Sequence, residues 1–127
     1  MEIASRRCSI LVVEDDSGIR ESLVECLAGE GYAVELAADG AEGLERLRAR
    51  RPDLVVLDLV MPIMNGAELV EAVGRDAALR SVPILLMTAA MPAPGEQIPP
   101  VAGYLAKPFE LGELLDAVER LCGAPRR

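Results

Sequence analysis

The sequence predicts an α/β fold, a parallel sheet with helices packed on both of its faces, and three observations carry that prediction. Short apolar runs, ILVV at 10–13, LVVL at 54–57 and ILLM at 84–87, alternate with stretches of helical spacing. Such alternation marks parallel strands joined by crossover helices. The runs are apolar at every position rather than at every second one, as strands covered on both faces must be. Composition agrees: 51% of the chain is hydrophobic, yet it holds two Tyr, one Phe and no Trp, so the core must be built from Leu, Val, Ile and Ala. At 127 residues the chain predicts one domain over 1–127, with a core from 8 to 122 and short tails.

Taken in order, residues 8–14 (CSILVVE) read as the first strand, ending in the acids Glu14, Asp15 and Asp16. Asp16 or Ser17 can cap the helix that follows, since either side chain accepts from first-turn amides. That helix places Ile19, Leu23 and Leu27 on one stripe, and Gly31 stands where a left-handed residue ends a helix. Residues 32–38 (YAVELAA) form the second strand, closed by an Asp39-Gly40 turn. In the second helix Leu44 and Leu47 face inward, while Arg46, Arg48, Arg50 and Arg51 gather toward its end. Cations there complement the helix dipole.

The stretch PDLVVLDLVMPIMNG, 52–66, supplies the third strand and the loop after it. Burying a charge inside such a strand is costly, so an acid is tolerated only where the strand leaves the core. Asp58 is therefore placed at the carboxyl end of a central strand, where open α/β sheets carry their sites. A third helix over 67–80 turns Leu69, Val70, Val73 and Ala77 inward, and 82–88 (VPILLMT) is the fourth strand, ending at Thr88. A fifth strand at 103–106 ends before Lys107-Pro108, and a last helix over 110–122 carries Leu111, Leu114, Leu115, Val118 and Leu121. Between Thr88 and Gly103 the rhythm breaks. Pro92, Pro94, Pro99 and Pro100 fall there with Gly95, and each interior proline costs a helix about 3 kcal/mol. The fourth helix is expected to be degenerate or missing.

Parallel strands all point their carboxyl ends the same way, so Glu14, Asp15, Asp58, Thr88 and Lys107 converge on one crevice. Three close carboxylates raise one another's pKa unless a cation intervenes. A hard divalent ion with oxygen ligands, Mg²⁺ above all, meets that need. A metal, a lysine and a hydroxyl around one carboxylate are the parts that stabilise a phosphoryl group in transfer. Asp58 is then the candidate nucleophile, forming an acyl phosphate.

With these pieces in view, the sequence resembles the receiver domain of two-component response regulators, CheY-like, across Ile10 to Leu121. The resemblance rests on ILVVEDD at 10–16, Asp39-Gly40, PDLVVLDLVMPIMNG at 52–66, PILLMTA at 83–89 and GYLAKPF at 103–109. It implies a flavodoxin-like, doubly wound five-stranded sheet of strand order 2-1-3-4-5. It implies phosphorylation of Asp58 by a sensor histidine kinase or a histidine phosphotransfer protein, within a phosphorelay. By the same carry-over, Glu14, Asp15, Asp58 and the Val60 backbone carbonyl hold Mg²⁺, and Thr88 and Lys107 contact the phosphoryl oxygens. Tyr104 would be an aromatic switch moving with Thr88, and the Lys107-Pro108 bond would be cis. Ala89 and Ala90 leave room for a phosphodonor. The only chemistry implied is self-phosphorylation and autodephosphorylation, so the chain is not expected to be an enzyme.

The departure from the family is the proline-rich segment 91–100, where a fourth helix normally shares the output and dimerisation surface. Output is therefore expected to bypass the usual symmetric dimer and to reach a downstream protein not named by the sequence. The chain ends at GAPRR, which predicts a receiver without an effector domain of its own, either stand-alone or cut from something longer. Two other classes compete. A haloacid-dehalogenase-like phosphatase with an Asp nucleophile wants a second acid two residues on, where this chain has Val60. A phosphorylation-independent binding module on the same fold would usually lack the intact acidic pocket.

Composition narrows the rest. Formal net charge is −8, which leaves no basic footprint for nucleic acid. There is no histidine, and Cys8, Cys26 and Cys122 show no paired spacing, so zinc ligation and Ser/His or Cys/His catalysis are disfavoured. The three are expected to be thiols in a reducing cytoplasm. No signal peptide is visible, and no run reaches the ~18 apolar residues of a membrane span.

Overall fold

Ile10 to Val13 are at most 2% exposed, and that continuous burial is what makes β1 (Ser9–Val13) a central strand. Around it a computed structural model, which describes residues 8–59, 65–89 and 101–122, places β2 (Ala33–Ala37), β3 (Leu54–Asp58), β4 (Ile84–Thr88) and β5 (Gly103–Ala106). The strands are parallel throughout, in the order β2-β1-β3-β4-β5. The helices are α1 (Ser17–Gly29), α2 (Gly40–Ala49), α3 (Gly66–Arg75) and α4 (Leu111–Cys122). This is the doubly wound, flavodoxin-like sheet with the expected strand order.

Alternation along the strands divides the core in two, because successive side chains point to opposite faces. Leu11, Val13, Val55, Leu57 and Leu86 meet Leu47 of α2 and Leu69, Val70 and Val73 of α3. On the other face Ile10, Val12, Leu54, Val56, Leu85 and Met87 meet Leu23 and Leu27 of α1 and Leu114, Ala117 and Val118 of α4. Each buried aliphatic side chain stabilises the fold by about 1.5–3 kcal/mol, so both helical layers are held by the hydrophobic effect.

Local chemistry sets the boundaries. Asp16 caps α1 by accepting from the Ile19 amide, and Gly31 takes φ 102° just past its end, a conformation only glycine adopts freely. The Asp39-Gly40 pair is not a turn. Asp39 is the N-cap of α2, accepting from the Glu42 amide, and Gly40 is its first residue. Asn65 and Glu68 form a reciprocal capping box at α3. That helix stops at Arg75 rather than running to residue 80, and Leu79, not Ala77, completes its buried side. Ile19 and Leu111, read as inward-facing, are 40% and 51% exposed; each lies in the first turn of its helix.

The arginines of α2 are spent on ordinary contacts. Arg46 pairs with Glu42, Arg48 with Asp76 and Arg50 with Glu35, while Arg51 donates to the Ala78 carbonyl. Such exposed pairs contribute at most about 1 kcal/mol each. The cysteines depart from expectation. Cys8, next to β1, and Cys122, the last residue of α4, are joined as a disulfide, leaving Cys26 as the free thiol. The fold brings together residues that 114 positions separate, which spacing along the chain cannot reveal. The prolines at 92–100 fall outside the described residues. Among those described, no helix is long and apolar enough to cross a membrane.

Candidate functional site

Three strand ends and one loop build the crevice. Beyond β1, the Glu14 amide donates to the Ala37 carbonyl at 3.1 Å, so the backbone stays in line with the sheet and the carboxylate is left 1% exposed. At the end of β3, Asp58 is 7% exposed, and the Leu59 amide still donates to the Met87 carbonyl. Thr88 closes β4 at 3% exposure. The Lys107 amide donates to the Thr88 carbonyl at 2.8 Å, which brings the lysine over the same crevice, and the Lys107-Pro108 bond is cis.

Carboxylate oxygens of Glu14, Asp15 and Asp58 all lie within 4.8 Å of one another. Lys107 Nζ donates to Asp58 Oδ1 at 3.2 Å and stands 3.6 Å from Glu14 Oε1. The second distance is an ion pair and too long for a hydrogen bond. Glu14 Oε2 accepts from the Asp16 amide, but Oε1 is buried without a hydrogen-bond partner. A buried carboxylate oxygen in that state costs about 1–3 kcal/mol or more. Three carboxylates against one ammonium leave negative charge unmatched.

Titration follows the same balance. Burial pushes the Glu14 carboxyl above its ordinary value, and the charges of Asp58 and Asp15 push it further against the Asp16 amide and Lys107. For Lys107, burial works toward a lower value. The hydrogen bond to Asp58 and the charges of Asp58 and Glu14 outweigh it, and the ammonium is held above its ordinary value. A hard divalent cation takes oxygen ligands of this kind, and the Glu14 oxygen that lacks a hydrogen bond fits it.

The structure therefore brings Glu14, Asp15, Asp58 and Lys107 into contact and sets Thr88 beside them at the end of β4. Val60, whose carbonyl was the fourth expected metal ligand, lies outside the described residues, as does Ala90. Tyr104 stands opposite Leu86 in the sheet and is half-buried against the face that holds Leu57 and Leu69. Burial raises its phenol pKa.

One residue escaped sequence reasoning. Arg20, one turn into α1, donates from Nη1 to the Glu14 carbonyl at 2.9 Å and reaches the Asp15 carbonyl at 3.4 Å. It fastens the backbone that carries both acids. The available signal was its position, one helical turn after an acidic triplet that must be held still.

Comparison with known proteins agrees with this geometry. A family model described as the response regulator receiver domain matches residues 10–119. The chain is 44% identical over 119 residues to the response regulator MprA of Mycobacterium sp. (strain KMS) and 43% identical to MprA of Mycobacterium bovis (strain BCG / Pasteur 1173P2). Each match covers 88% of this chain and 49% of the relative, so the chain spans about half the length of the curated relatives it matches. Among solved structures, the chemotaxis response regulator CheY4 of Vibrio cholerae superposes with a TM-score of 0.85 at 34% identity, covering 91% of this chain and 99% of that one. The signal receiver domain of a signal transduction histidine kinase from Syntrophus aciditrophicus gives 0.80 at 29% identity, over 90% and 89%. With the strand order, the acidic crevice and these matches together, the chain belongs to the response regulator receiver family of two-component systems.

Proposed function

We propose that the chain is a phosphoacceptor receiver, taking a phosphoryl group onto Asp58 from a sensor histidine kinase or a histidine phosphotransfer protein. The observation that carries this reading is the environment of Asp58, a buried strand-end carboxylate with Lys107 Nζ at 3.2 Å and Glu14 Oε1, buried without a hydrogen bond, beside it. An Asp58 carboxylate oxygen forms the new bond to phosphorus, and the phosphorus–nitrogen bond of the donor phosphohistidine breaks, its electron pair returning to the imidazole. Lys107 meets the developing charge on the phosphoryl oxygens, and the Thr88 hydroxyl donates to the same oxygens.

Glu14, Asp15, Asp58 and the Val60 carbonyl would hold Mg²⁺. When bound, the ion supplies charge neutralisation around the transferring oxygens. Phosphorylation adds about −1.5 to −2 charge at Asp58. Lys107 then turns from the carboxylate to the phosphoryl group, Thr88 is drawn toward it, and Tyr104 moves into the space that opens. The change in that surface is what a downstream protein reads. Residues 8–122 act as the core of one cytoplasmic domain whose only chemistry is its own phosphorylation and dephosphorylation, without nucleic-acid or membrane contacts.

Incubation with Mg²⁺ and acetyl phosphate tests this. The expected result is one labile phosphoryl mass addition, abolished by Asp58→Ala and by chelation. No adduct on the folded wild type would favour a phosphorylation-independent binding module. Repeated turnover of phosphate esters would favour a phosphatase.

A further inference from the structure

Cys8 and Cys122 take no part in the crevice, yet they join the beginning of the described chain to its end. Their Cα atoms are 6.4 Å apart, within the range a disulfide spans without moving the backbone. Both side chains are half-buried against the same hydrophobic layer, the one formed by α1 and α4 on the Ile10 face of the sheet. The two ends are held differently. Cys8 is fixed by its carbonyl, which accepts from the Ala33 amide, and by its neighbour Ser9, whose amide donates to Asp53. Cys122 is the terminal residue of α4, a position where helices fray.

The geometry also suits the reduced pair. Cys8 Sγ lies 3.1 Å from the Cys122 carbonyl oxygen, an acceptor ready for the thiol and otherwise one of the unsatisfied carbonyls of a helix end. The same backbone thus accommodates two covalent states.

We propose that Cys8 and Cys122 are a reversible redox modification site, which exchanges with low-molecular-weight disulfides and in its oxidised state staples the end of α4 to β1. One thiolate attacks a sulfur of the small disulfide and releases one small thiol. The second thiolate attacks the resulting mixed disulfide and releases the other. Two protein thiols are oxidised, one small disulfide is reduced to two thiols, and no other reagent is needed. Cys26 stays outside the exchange: it lies in α1, and burial and the charge of Glu30 raise its thiol pKa, so little thiolate forms.

The staple closes a loop of 114 residues and so restricts the unfolded chain strongly. In the folded state it ties down an element that begins shortly after Lys107. This site acts independently of the phosphoacceptor reading, and its test does not involve phosphate.

The full chain is equilibrated with oxidised glutathione and alkylated after denaturation. The expected product is a monomer lighter by two hydrogens with one alkylatable thiol. Its thermal midpoint should rise by about 10 °C, and amide exchange should slow in the last turns of α4. Dithiothreitol reverses each change. Cys8→Ser and Cys122→Ser form no intramolecular disulfide: the remaining partner thiol stops at its glutathione adduct, Cys26 stays alkylatable, and neither variant shows a rise. The reduced wild type provides the same comparison if a variant fails to fold. In the wild type, three alkylatable thiols after oxidation, persistent glutathione adducts, a disulfide-linked dimer, or a bond that leaves the midpoint and α4 exchange unchanged would each overturn the proposal.

Discussion

Arg20 acts on the crevice through backbone alone. Its guanidinium contacts the carbonyls of Glu14 and Asp15, so it sets the direction in which both acids leave β1 without touching a candidate ligand oxygen. Supports of this kind typically alter metal affinity by roughly 10-fold or more when removed. Arg20→Ala is expected to weaken Mg²⁺ binding by about that factor at the low end, with only a small change in thermal midpoint, because one bond is exposed and the other partly buried. Titration calorimetry on wild type and variant decides it; equal affinities would remove Arg20 from the site's support. The acids and Lys107 were legible in the sequence for a definite reason: buried strands exclude charge except at their ends. Arg20 was not, since a basic residue on an exposed helix breaks no pattern. The Glu14 oxygen without a hydrogen bond was not either, because only the packed geometry separates its two oxygens.

The entry into α3 shows what a single element demands of one residue. A Cβ built on Gly66 would lie 2.7 Å from the Asp58 carbonyl oxygen and 2.7 Å from Leu59 Cα, and the Gly66 amide donates to the Leu59 carbonyl at 2.8 Å. Both neighbours are backbone and cannot swing aside. Gly66→Ala must therefore displace either the end of β3 or the start of α3. Overpacking of this kind costs typically 1–3 kcal/mol, and the displaced backbone carries Asp58. Denaturant unfolding of the variant should show a loss in that range, and an unchanged midpoint would mean that α3 can retreat freely. Elements as a class were legible, since their apolar periods are long and regular. Their first turns were not: the period that places Leu23 and Leu27 inward also counts Ile19, and hydropathy carries no information on which turn of a helix meets the core. Asp39-Gly40 misled for a related reason, because the same residues that make turns also cap helices.

For the whole molecule, the parallel sheet and the convergence of strand ends followed from alternation and handedness, which hold for the chain at large, and the strand order from the family resemblance. The meeting of Cys8 with Cys122 did not, because only the completed winding brings the two ends of the core together. A further global property comes from groups spread over the fold. Burial, Glu119 and Glu30 raise the Tyr32 phenol, burial raises Tyr104, and Asp58 and Glu14 prevail over burial to raise Lys107. Each holds its proton more tightly folded than unfolded. The native state then binds more protons than the unfolded state above the unfolded values, near pH 10 for tyrosine and 10.4 for lysine. Stability is at its full level below about pH 10 and falls as pH climbs through the raised values, by up to about 1.4 kcal/mol per pH unit for each proton of difference. Tyr32 is 2% exposed and lies in the layer shared with α1 and α4, so Tyr32→Phe removes one such proton and should make the alkaline decline shallower. Denaturant unfolding in reductant, repeated from neutral pH to about pH 11, measures both slopes, and parallel declines in wild type and variant would show that Tyr32 ionises as readily folded as unfolded.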